Sequence, residues 1–86
     1  MQLDDSTKTQ LRHRLNRARG QITGILTMLE EDRDCSDVLT QIAAVSRALD
    51  KAGLVMLAAG LEQCFLAGED GTADRARLQR IVLSHG

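Results

Sequence analysis

The sequence predicts an all-α fold, and three observations predict it. The 86 residues include no proline, so nothing interrupts a long helix. They include no tryptophan, no tyrosine and one phenylalanine. A core without aromatics is built from Leu, Ile, Val, Ala and Met, which suits close helix–helix packing better than a twisted sheet. Finally, apolar residues recur in alternating steps of four and three, the period of a helical seam. One small domain over 1–86 is expected, at a size where a single chain buries a modest core and association supplies the remainder.

The first helix is predicted over about residues 6–31, after a short tail at 1–5, with Asp5 or Ser6 as N-cap. Leu11, Leu15, Ala18, Ile22, Ile25 and Leu29 form its seam. Gly20 and Gly24 each cost such a helix about 1 kcal/mol relative to Ala, and their spacing of four puts them on one face, where another backbone can approach closely. The acidic run EEDRD closes it.

Asp34 is the predicted N-cap of a second helix over 35–66, with Asp37 at the third position as a short-armed capping box. Its seam runs through Val38, Ile42, Val45, Leu49, Ala52, Met56 and Ala59, widened by Leu39, Leu54, Leu57 and Leu61. So wide a stripe implies contacts on more than one side, which favours an oligomer. Gly68 to Gly71 forms the next break. Thr72 is then the predicted cap of a third helix over 72–84 carrying Leu78, Ile81 and Val82.

The formal net charge of −1 conceals a segregation of sign. Lys8, Arg12, Arg14, Arg17 and Arg19 follow one another with no acid between them, while Glu30, Glu31, Asp32, Asp34 and Asp37 gather later. Cations near a helix N-terminus oppose its dipole at roughly 0.3–1 kcal/mol each, so their placement points to another demand, and DNA phosphates fit it. The plainer reading is a solvated face paired with the acids of a neighbouring chain. A helix-turn-helix and aromatic stacking platforms for single strands are both missing. No signal-peptide core or apolar run of membrane-spanning length is present, so a soluble, cytoplasmic chain without membrane contact is expected.

Both cysteines, Cys35 and Cys64, fall in the second predicted helix, 29 positions apart. At 1.5 Å per residue that is roughly 43 Å along the axis, far beyond the ~7 Å between Cα atoms that a disulfide tolerates. If the thiols act together they belong to two chains, with two copies of this helix antiparallel. Two such thiolates suit a soft ion such as Cu(I), or joining by oxidation or sulfur transfer. The alternative is that they are small buried hydrophobes in a helical oligomerisation module. Neither His13 nor His85 stands three or four residues from a cysteine, and no paired C-x-x-C occurs, which argues against zinc. No phosphate loop or argued nucleophile arrangement is present, so an enzyme is not expected, nor a cofactor.

The segments RLNRARGQITGI at 14–25, MLEEDRDCSDVLTQIAAVSRALDK at 28–51 and LEQC at 61–64 resemble the CsoR/RcnR family of bacterial repressors, over about residues 11–66. The resemblance implies three helices per protomer and an antiparallel dimer with a four-helix-bundle-like core, assembled as a dimer-of-dimers homotetramer. It also implies binding of double-stranded operator DNA through Arg14, Arg17 and Lys51, with Gln21 and Arg47 as weaker candidates. Thr23 stands where relatives often carry a basic residue. Copper sensors of the family resemble a Cys, His, Cys set, with the His four residues before the second Cys; here that position is Gly60. The nickel and cobalt branch adds an N-terminal histidine and the formaldehyde branch a proline at position 2, where this chain has Gln2. Cys35 and Cys64 without that histidine resemble the persulfide-sensing, CstR-like branch. This implies a repressor that releases DNA when reactive sulfur species crosslink Cys35 to Cys64 between protomers. A Cu(I) sensor using the same two thiolates is the alternative.

Overall fold

The computed structural model describes residues 2–85, so Met1 and Gly86 of the expected 1–86 domain lie outside the described residues. The chain is all-α: α1 (Asp5–Glu30), α2 (Cys35–Leu66), a 3-10 turn (Gly68–Gly71) and α3 (Thr72–His85), with no strand among the described residues. The second helix begins and ends where predicted. The first starts one residue early because its cap is Asp4, not Asp5 or Ser6: the Asp4 carboxylate accepts the Thr7 N–H at 2.7 Å. Three cap-competent residues in a row, Asp4, Asp5 and Ser6, make the start ambiguous from composition alone.

At the end of α1 the Asp32 N–H donates to the Leu29 carbonyl at 3.3 Å and the Arg33 N–H to the Met28 carbonyl at 3.0 Å. This is a Schellman closure, with Asp32 at φ 53° in the left-handed position that glycine usually takes. The chain then turns through four residues into α2. There the Asp34 carboxylate accepts both the backbone N–H and the hydroxyl of Ser36, so the cap is completed chiefly by Ser36 rather than by the expected Asp37 box. Gly68 takes the left-handed conformation at a φ of 63° without the strain a side chain would bring, and so ends α2. Thr72 does not cap α3 from outside. It is the first residue of that helix, which continues directly from the 3-10 turn.

α1 and α2 form an antiparallel hairpin. One heptad row of each is buried between them: Leu11, Ala18 and Ile25 against Val38, Val45 and Ala52. Ile25, Val38 and Val45 form one cluster, with Met28 packed at its edge. Each buried large aliphatic contributes roughly 1.5–3 kcal/mol. The other predicted row is not covered: Leu15, Ile22 and Leu29 on α1, and Ile42, Leu49 and Met56 on α2, are exposed. α3 lies beside the C-terminal part of α2, where Leu57, Leu61, Val82 and Leu83 line an open apolar groove. The chain measures 55 × 28 × 13 Å, a slab one helix thick. The close approach expected at Gly20 and Gly24 is not made within the chain, since no described atom beyond the adjoining residues and backbone of α1 lies within 4 Å of a Cβ built on either.

Candidate functional site

Helical periodicity sorts the candidate residues onto the two broad faces of this slab. Because α1 and α2 run in opposite directions, positions four residues beyond the buried row fall on the same side of the hairpin for both helices. The exposed row Leu15, Ile22, Leu29 therefore lies beside the exposed row Ile42, Leu49, Met56 and makes one apolar face. Cys35 belongs to the same heptad row as Ile42, Leu49 and Met56, and its side is exposed. The interval of 29 residues is close to eight full turns of about 3.6, so Cys64 leaves α2 on the same side as Cys35, roughly 20° round the axis.

The opposite face is polar. Arg14, Gln21 and Lys51 stand three residues after, three after and one before residues of the buried rows, and Arg17 one before Ala18, which turns all four away from the apolar side. Arg17, Gln21 and Lys51 are exposed and Arg14 half-buried. Arg47 is exposed but sits at the outer edge of α2, away from α1, and does not join this group. Thr23 turns its hydroxyl to the Arg19 carbonyl, 3.1 Å away. The fold thus brings Arg14, Arg17, Gln21 and Lys51 onto one face and keeps them apart from the thiols.

The two thiol environments differ. Cys35 is the first residue of α2, just after the Asp34 cap. Hydrogen bonds from the Ser36 hydroxyl and N–H, and to a smaller extent the Asp37 N–H, hold the Asp34 carboxyl below its ordinary value. Asp34 is therefore a carboxylate at neutral pH, directly beside the exposed cysteine. Cys64 is only 4% exposed. Gly71 is buried against it: a Cβ built on Gly71 would overlap the Cys64 carbonyl oxygen and stand 2.8 Å from the Cys64 C and Cα atoms. Sequence reasoning missed this contact, although the pair of glycines bracketing two acids at 68–71 marked the turn that makes it. Arg75 at the start of α3 lies 5.5 Å from the Phe65 ring centroid, a cation–π contact that ties α3 to the same end of α2. Gly60, also buried, offers no donor, and no group of three or more His, Cys, Asp or Glu side chains converges among the described residues.

The chain is thus a one-layer helical hairpin with cations on one broad face and an exposed apolar row with a cysteine on the other. The chain is a member of the metal-sensitive transcriptional repressor family, whose sequence model matches residues 7–83. It is 46% identical over 81 residues to the copper-sensing transcriptional repressor CsoR of Mycobacterium ulcerans, covering 94% of this chain and 68% of that protein. Other curated mycobacterial relatives are matched over only 53% or 59% of their length. The crystal structure of the copper-sensing repressor CsoR with Cu(I) from Geobacillus thermodenitrificans superposes with a TM-score of 0.85 at 25% identity, covering 99% of this chain and 92% of that one. The nickel-responsive transcriptional regulator InrS matches with a TM-score of 0.73 at 33% identity, covering 90% and 89%. These proteins are repressors and regulators, not enzymes. Their names are those of metal sensors, and this corrects the expectation, resting on Gly60, that the chain's relatives lie in the sulfur-sensing branch. No described helix is long and apolar enough to cross a membrane.

Proposed function

We propose that this chain is an operator-binding repressor whose DNA affinity is set by Cu(I) held between Cys35 of one copy and Cys64 of a second. The observation that carries this reading is the placement of the two thiols at opposite ends, and on the same side, of one uninterrupted helix. Two copies packed antiparallel through the exposed row of Ile42, Leu49 and Met56 meet near Leu49 and Asp50, midway between the cysteines. Each end of the pair then joins Cys35 to Cys64 of the other copy. Cu(I) is a soft ion that thiolates select, and the copper-sensing names of relatives support it over other metals. The cations Arg14, Arg17 and Lys51 face duplex phosphates, with Gln21 beside them and Arg47 at the margin. Antiparallel dimers paired into a tetramer present several such faces to one operator.

Gly60 favours a second reading, since a copper site here lacks the family's histidine and no third donor converges. In that reading the Cys35 thiol takes a sulfane sulfur from a persulfide donor and the donor leaves as its thiol. The Cys64 thiolate of a second copy then attacks the Cys35 persulfide, forming a disulfide and releasing hydrosulfide. The atoms balance without a further oxidant.

Copper titration of the reduced protein against a competing Cu(I) chelator, followed by fluorescence anisotropy with promoter DNA, tests both. The first reading expects stoichiometric Cu(I), release of DNA, and loss of both in Cys35→Ser and Cys64→Ser. Absence of tight copper binding, with a reducible interchain disulfide between Cys35 and Cys64 after treatment with a persulfide donor, would establish the second. On DNA, Arg14→Ala or Lys51→Ala each reduces the slope of log K against log salt by about 1. Absence of any salt-dependent duplex binding would leave only the oligomerisation module.

A further inference from the structure

We infer that Gly71 is a positioning residue that governs access to Cys64, so that the turn Gly68–Gly71 and the start of α3 must lift before that thiol reacts or takes a ligand. The thiols are not equivalent. Cys35 is exposed at the beginning of α2, and Cys64 is 4% exposed near its end. Gly71, itself buried, packs on the Cys64 main chain, against its carbonyl and Cα, so closely that even a methyl group there would overlap. A clash with backbone is not relieved by a rotamer change, so any side chain at 71 displaces the turn. The turn is held from both sides, by Gly68 in its left-handed conformation and by the stacking of Arg75 on Phe65. Moving Cys64 into a bond with another chain therefore moves α3, and a restraint on α3 restrains the thiol.

This deepens the thiol-sensing reading but is tested without any effector. The reduced full chain is alkylated with iodoacetamide under native conditions, and the two cysteine peptides are quantified separately by mass spectrometry. Wild-type Cys64 is expected to react about tenfold slower than in the denatured chain, as local protection requires. Gly71→Ala should raise the Cys64 rate about fivefold, and Arg75→Ala should raise it less, with the Cys35 rate unchanged in both. Arg75→Ala keeps the question answerable if Gly71→Ala fails to fold. The inference is overturned if wild-type Cys64 reacts as fast as in the denatured chain. It is equally overturned if both variants stay within about twofold of wild type, or if Cys35 accelerates in parallel, which would mean general loosening. A protein that binds neither copper nor sulfur leaves the outcome unaffected, so failure of the effector reading is told apart from failure of this one.

Discussion

Two apolar rows run along each helix of the hairpin with the same seven-residue period, yet they have opposite fates. Val45 is 6% exposed and Leu49, one turn later, is 43% exposed. On α1 the pair Ala18 and Leu15 repeats the contrast at 2% and 49%. Side-chain size does not place the larger residue inside, since in both pairs the one left outside is leucine, bulkier than its buried neighbour. Geometry decides: in a slab one helix thick, α1 and α2 cover one row each and none of the described residues covers the other. The first row is the core of the protomer. The second row stands open on the surface of the single chain.

Substitutions that act on one row and spare the other break the comparison open. The largest effect is expected for Leu49→Asp. In an isolated chain an exposed position costs within about 0.5 kcal/mol, but in the centre of an interface a buried unpaired carboxylate weakens association by at least about 100-fold. Sedimentation velocity reads the difference; an unchanged mass distribution would place the interface elsewhere. Val45→Ala is expected to cost about 2 kcal/mol in chemical denaturation, with the cavity inside the hairpin rather than between chains. The smallest effect is at the helix starts. Asp34 and Asp4 have carboxyls held below their ordinary value by the caps they make. Their folded pKa is lower than their unfolded one, so their contribution is fully present above the unfolded value of 3.8 and is lost as pH falls through the folded one. Thermal melts between pH 6 and about pH 2 should show Asp34→Ala converging on wild type at the acid end.

Much of this architecture is legible in the residues themselves. Asp34 followed by Ser36, and Leu66 followed by Gly68, mark the ends of α2 because capping and left-handed closure are local chemistry. The cysteine interval is legible too, because helix rise converts it directly into distance. Periodicity, however, treats both apolar rows alike, so which one faces α1 emerges only from the packed hairpin. The burial of Cys64 was equally hidden, since it depends on residues 68–71 folding back over the end of α2. The cations were readable as a basic stretch. Their segregation from the thiols, with Arg47 left at the margin, depends on how α1 and α2 are turned toward each other.

The uninterrupted 32 residues of α2 have one more consequence. A rigid helix between two reactive groups is a ruler with an angular scale as well as a linear one. Inserting one residue between Cys35 and Cys64 lengthens it by only 1.5 Å but swings one thiol about 100° round the axis relative to the other. The interval therefore tolerates change only in near-whole turns, while individual side chains along it, such as the one at position 60, can be exchanged without altering its calibration.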